Sequence, residues 1–145
     1  MHPIFVAALL LVLAACQTSA PPVTLAAPAQ DAAGKQFAPP PPGMAAVYFY
    51  NPDASPVVGV AVDGREIGRL DTRTWMRVEI VAGHHVLRCR RGDSVNARWV
   101  NLPAGSTRFV DVQMRPGDHT CTIKETDAGV GRAGVLAGNR AQQLP

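Results

Sequence analysis

The chain has 145 residues, 47% of them hydrophobic and 17% charged, and 14 Lys+Arg against 11 Asp+Glu give a net charge of +3. That length suits one domain and excludes a TIM barrel or a complete dinucleotide-binding enzyme. The mild basicity suits contact with anionic surfaces without demanding nucleic acid.

From Ile4 to Ala15 the chain reads IFVAALLLVLAA, an uncharged run shorter than the roughly 20 residues a helix needs to cross a bilayer. It is expected to be the apolar core of a signal peptide spanning residues 1–15. The run closes on Leu13-Ala14-Ala15-Cys16, which resembles the lipobox of bacterial lipoproteins. The resemblance implies that the Cys16 thiol is alkylated by a diacylglyceryl group, that the leader is cut before it, and that the new amine is acylated. Two or three acyl chains, each contributing about 0.8 kcal/mol per buried methylene, would hold the mature protein on a membrane. By the sorting rule of related lipoproteins, Gln17 after the cysteine implies the outer membrane, with the domain in the periplasm.

Eight of the 13 prolines fall at or before residue 43, and residues 17–43 hold one Lys and one Asp among Ala, Pro, Gln, Thr and Ser. So little apolar surface is not expected to offset the entropy of ordering a backbone, so residues 16–43 read as a lipidated N-terminus and flexible tether. A Pro-rich segment of that length extends to roughly 80 Å at about 3.1 Å per residue.

Residues 44–126 show short apolar alternations of period two, broken by Gly, Asp and Pro, which predicts an all-β domain. Val47 and Phe49 share one strand face, and Val58, Val60 and Val62 another. Asp63-Gly64 is a hairpin signal, with Ile67 inward on the returning strand. Met76, Val78 and Ile80 alternate with an outward set of Trp75, Arg77 and Glu79. Further strands are expected at 84–90, about 100–102, about 110–112, and around Cys121 and Ile123, with turns at Ala82-Gly83, Pro103-Ala104-Gly105 and Pro116-Gly117-Asp118. Seven or eight such strands predict a small antiparallel β-sandwich. Residues 127–145 form a tail in which Gly131, Gly134 and Gly138 leave a short helix frayed, at about 1 kcal/mol each relative to alanine.

Ala46-Val47-Tyr48-Phe49-Tyr50, the Val62 to Leu70 segment VDGREIGRL, the Val81 to Leu87 segment VAGHHVL and Leu102-Pro103-Ala104-Gly105 occur in the order seen in the domain of unknown function 2846 family. The chain resembles that family over residues 40–125, and its strand, Val-Asp-Gly, strand pattern also looks like PEGA surface modules. The resemblance implies a compact β-sandwich in an envelope lipoprotein. It carries over no catalytic residue.

With Cys16 lipidated, Cys89 and Cys121 remain as an even pair on inward strand positions in an oxidising compartment, and a disulfide is expected. The rival is zinc, since His85 and Cys89 share one strand face and His119 and Cys121 another, together two imidazoles and two thiolates. Gly92-Asp93-Ser94 resembles the nucleophile block of GDSL-type lipases, but the downstream Asp-x-x-His and the α/β context are missing. Arg91-Gly92-Asp93 reads as a tight turn. Arg88, Arg90, Arg98 and Arg108 recur at even offsets in neighbouring strands, and with Trp99 or Trp75 beside them they form a possible outward basic face for lipid phosphates, lipopolysaccharide or peptidoglycan carboxylates. The expectation is a non-enzymatic, lipid-anchored envelope module that needs no cofactor, whose partners are the membrane and an envelope protein or anionic polymer rather than nucleic acid. The alternatives are a ligand-binding or inhibitor-type protein using the Arg/Trp face, and a zinc-dependent enzyme.

Overall fold

A computed structural model describes residues 22–145, so Cys16 and the leader lie outside the described residues. Two sheets face each other. The first has the strand order β8-β7-β1-β4-β9, from Met44–Asn51 (β1), Thr74–Val81 (β4), Thr107–Met114 (β7), Cys121–Thr126 (β8) and Asn139–Arg140 (β9). The second is β3-β2-β5-β6, from Val58–Val62 (β2), Arg65–Leu70 (β3), Gly83–Arg91 (β5) and Ser94–Leu102 (β6). The expected β-sandwich is present, with one departure. β1 runs parallel to β7, and β4 parallel to β9, so the first sheet is mixed whereas the second is wholly antiparallel.

The period-two reading accounts for the space between the sheets. Ala45, Val47 and Phe49 of β1, Met76 of β4, and Val110 and Val112 of β7 pack against Val58, Val60, Val62, Leu70, Leu87 and Leu102 of the second sheet. Asp63 and Gly64 both take positive φ, 49° and 82°, as a two-residue type I′ hairpin requires, and they join β2 to β3. The Cys89–Cys121 disulfide crosses between the sheets from β5 to β8, with its Cα atoms 6.1 Å apart. Beside it the Cys121 backbone N–H donates to Ser94 Oγ at 2.9 Å, and Asn96 Nδ2 donates to the Cys121 carbonyl at 3.3 Å. Ser94, the serine of the lipase-like block, is therefore a brace on β6 and not a nucleophile held by a base.

The other face of the first sheet departs from the sequence expectation. Trp75, expected to face outward, is fully buried, together with Tyr48, Tyr50 and Phe109. These rings form an aromatic plate, Tyr48 stacked on Phe109 at 5.2 Å and tilted against Trp75 at 5.8 Å. Burying each such ring contributes roughly 1.5–3 kcal/mol, and two segments supply the cover.

One cover is the segment expected to be a tether. From Pro22 it is ordered: Leu25 bridges Ala141, Pro28–Gly34 forms a helix (α1), Phe37 lies on Tyr48 and Phe109, and Pro40 is buried. The Tyr48 hydroxyl donates to the Gly34 carbonyl at 2.8 Å. Asp31 fixes the helix to the sheet by accepting from the Arg140 backbone N–H at 2.7 Å and pairing with Lys35, also at 2.7 Å. Burial pushes the Asp31 carboxyl up, but these partners outweigh it and hold it below its ordinary value.

The other cover is the C-terminal helix Ala128–Leu136 (α2), N-capped by the Asp127 side chain, which accepts from the Val130 N–H at 2.9 Å. The expectation of fraying is corrected by its packing. A Cβ on Gly131 would lie 2.2 Å from Phe109, and one on Gly134 would lie 2.4 Å from Tyr50, so the glycines let the helix backbone rest directly on the rings. Beyond α2 the chain pairs with β4, and Leu144 then donates its N–H to the Ile67 carbonyl of β3. The tail thereby laces the first sheet to the second along one side, as the disulfide does along the other.

Two outcomes follow. Gly131→Ala should destabilise the protein by about 1–3 kcal/mol through overpacking against Phe109, despite alanine's better helix propensity, as read by urea unfolding. The Cys89→Ala/Cys121→Ala pair removes a crosslink between residues separated by 32 positions and should cost about 3–4 kcal/mol.

Candidate basic groove

Of the residues read as one basic face, the structure keeps three together and separates two. Directly paired residues share a sheet face, so the outer face of the second sheet follows from its register. One row runs Arg69, Gly59, Arg90, Val95; the next runs Glu66, Ala61, Arg88, Ala97; the third brings Val86 opposite Trp99. Arg88, Arg90 and Trp99 therefore share this face. Arg98 pairs with inward-facing Leu87, and Arg108 with inward-facing Val47, so both leave from the inner faces. Their guanidiniums meet Glu125 at 3.9 Å and 3.2 Å. They are corrected from binding-face residues to an ion-paired rim. Trp75 is removed from the face as well, since it lies beneath α1.

A groove of about 550 Å³ lies along the outer face of the second sheet. Its floor is Gly59 and Ala61, whose small side chains keep it open between longer neighbours. Around it stand Arg69, Arg88 and Arg90 of the outer face, and Arg91, which pairs with inward-facing Ser94, reaches its rim from the end of β5. Sequence reasoning missed Arg69 and Arg91, since the place of Arg69 depends on the β2–β3 register and Arg91, of inward parity, reaches the groove only by bonding to the Val57 carbonyl at the end of β5. Glu66 is the one carboxylate in the lining, and Asp93 lies nearby at the tip of the β5–β6 hairpin. Among the described residues none of these four arginines has a carboxylate within salt-bridge distance. Arg90 Nε donates to the Gly92 carbonyl at 3.4 Å, and Arg91 donates to the Val57 carbonyl at 2.6 Å, which orients the heads without neutralising them. Planar, permanently charged guanidiniums on a fixed sheet can receive phosphate or carboxylate oxygens bidentately.

The zinc alternative loses its donors to other bonds. Cys89 and Cys121 are joined to each other, and His119 lies on an exposed turn with φ 56°. His85 Nδ1 meets Asp63 Oδ2 at 2.6 Å, and Nε2 meets the Val81 carbonyl at 2.7 Å. Both ring nitrogens face acceptors, which favours the imidazolium. Hydrogen bonding to Asp63 raises the His85 pKa above its ordinary 6.5, and the reciprocal bond to His85 holds the Asp63 carboxyl below its usual value. Asp63 Oδ1 also accepts from the Val86 N–H at 2.9 Å, so the pair clamps the β2–β3 hairpin to β5. A second perturbed acid, Asp111 on β7, is pushed up to about 6, chiefly by burial and then by the Asp53 charge. It lies in the other sheet and contributes nothing to the groove.

No family model, curated protein or solved structure matches the chain.

The clamp has a defined pH signature. With the His85 value raised on folding, its stabilisation is fully present below about pH 6.5 and is lost as pH rises through the raised value. With the Asp63 value lowered, its share is present above about pH 3.8 and fades as pH falls through the lowered value. His85→Gln should therefore lower Tm by a few degrees, most between about pH 4 and 6.5 and progressively less in alkaline buffer. Thermal melts of both proteins across pH 4–10 would check this, and a deficit independent of pH would contradict it.

Proposed function

We propose that the chain is a non-enzymatic, lipid-anchored binding module of a bacterial cell envelope, held by Cys16 on the outer membrane with its sandwich in the periplasm, and that it recognises anions through the basic groove. The observation that carries this reading is the set of four arginines without carboxylate partners around a small-residue floor. An ordinary solvated sheet face would intersperse acids among such charges. Here the lining holds Glu66 alone. The Leu13-Ala14-Ala15-Cys16 run, which resembles a lipobox, supports the address. A crosslink between Cys89 and Cys121 suits an oxidising compartment. No nucleophile, base and orienting group converge at the groove, so the site is read as one that binds rather than one that reacts.

The test of the anchor is the intact mass of the protein extracted from its native membranes. The expected species starts at Cys16, carries two or three acyl chains and shows two alkylatable thiols only after reduction. Cys16→Ala should shift most of the protein from the membrane to the soluble fraction. An unmodified chain that remains soluble would overturn the anchored reading.

A further inference from the structure

The ordered segment at the N-terminus changes the distance between the proposed anchor and the domain. The described chain begins at Pro22, only six residues beyond Cys16. Six residues fully extended span at most about 20 Å, against the roughly 80 Å of a free 16–43 tether. Position follows from hydrogen bonding. Leu25 bridges Ala141 in antiparallel sense and the Thr24 carbonyl accepts from Gln142, so the chain enters alongside the C-terminal tail. That tail is bonded through Leu144 to Ile67 of β3. β3 is also the strand that supplies Glu66 and Arg69 to the groove. The first described residues and the basic groove thus share one edge of the second sheet, whereas the helices cover the opposite side of the molecule.

The face around the groove is not merely basic. Trp99 is 79% exposed and Val95 57% exposed, both on the outer face of β6 beside the Arg90 and Arg88 rows. Leu25 and Leu144, each 51% exposed, lie along the edge where the chain enters. A small soluble anion would be bound by the arginines and would leave an isolated indole on that face without a partner. The headgroup region of a bilayer uses both, drawing cations to phosphate and indole rings to the boundary of the hydrocarbon.

Resting on the anchored reading above, we propose that the outer face of the second sheet, through Arg69, Arg88, Arg90 and Trp99, seats on anionic phospholipid headgroups of the membrane that carries the Cys16 anchor. The anchor raises the local concentration of that surface, so a face of modest intrinsic affinity suffices. The module would then lie against its own bilayer, with the helical face turned to the periplasm.

The two tryptophans provide the readout, since Trp75 is fully buried and Trp99 is not. The full chain is mixed with vesicles of phosphatidylcholine alone or with one third phosphatidylglycerol, and Trp emission and its quenching by aqueous acrylamide are followed, with Trp99→Phe as the blank. The expected result is a blue shift and shielding of Trp99 on the anionic vesicles alone. Raised salt should weaken it, and Arg88→Glu/Arg90→Glu should reduce the apparent affinity about tenfold or more. The milder Arg88→Gln/Arg90→Gln pair should show a smaller loss in the same direction, and unchanged thermal melts would confirm that both variants fold. Equal shielding on neutral vesicles, shielding that survives charge reversal, or release of Trp99 by millimolar inorganic phosphate would overturn the proposal, the last in favour of a soluble-phosphate site. Flotation with neutral vesicles reports the anchor separately: a chain that fails to float there yet is shielded on anionic vesicles would sink the anchored reading and keep the lipid-binding face.

Discussion

β1 is buried on both of its faces, and much of the architecture answers to that constraint. From Ala45 to Asn51 no residue of the strand is more than 1% exposed. A two-layer sandwich buries one face of each sheet and leaves the other to water, which suits alternating strands. Here the alternate residues are Tyr48 and Tyr50, flanked on neighbouring strands by Trp75 and Phe109. An exposed plate of four aromatic rings would be a strong association surface. α1, Phe37 and α2 remove it from water, and the molecule becomes three-layered on that side.

The same arrangement decides which surface is left for binding. With the first sheet covered outside by helices and inside by the second sheet, the outer face of the second sheet is the one extended β surface that remains uncovered among the described residues. It is also well fixed. The Cys89–Cys121 bond ties β5 to the opposite sheet, and Leu144 ties β3 to the C-terminal tail. The Asp63–His85 pair ties the β2–β3 turn to β5. Arg88 and Arg90 flank Cys89 in sequence, so the strand that presents the charges is the one held by the crosslink. Rigid presentation matters because an arginine that must be ordered on binding gives back part of what its charge supplies.

The sequence made the space between the sheets legible because period two is a local property, readable at Val58, Val60 and Val62 without knowing any partner. The disulfide was legible for a similar reason, since cysteine count and inward parity at positions 89 and 121 are both local. The cover of the aromatic plate was not. Residues 22–43 carry few apolar groups and count as unstructured when weighed alone, yet they are ordered by Phe37 and a helix docked on rings contributed by β1, β4 and β7. Gly131 and Gly134 misled in the same way. Helix propensity marks them as weak points, whereas tertiary contact makes them the residues whose lack of side chain allows the packing. The basic face was half legible: parity within β5 placed Arg88 and Arg90 together, but pairing across strands decided that Arg69 joins them and that Arg98 and Arg108 turn inward to Glu125.

A net charge of +3 describes this molecule poorly, because the charge is sorted by surface. Acids on the first sheet and at its edges are largely engaged: Asp31 with Lys35 and the Arg140 backbone, Glu79 with Arg77, and Glu125 with Arg98 and Arg108. Four arginines without ion pairs among the described residues meet at the groove against Glu66 as its one lining carboxylate. At physiological ionic strength charges interact over about 8 Å, so a partner at the groove experiences this local excess and not the average over the chain. The helical layer adds a second asymmetry, since it occupies the opposite side and cannot compete for the same partner. The ordered N-terminal segment connects the two: it covers the aromatic plate with α1 and Phe37, and in doing so it brings the start of the domain to the β3 edge beside the arginines. The packing that completes the fold therefore also sets an upper bound on how far the charged face stands from the proposed lipid anchor.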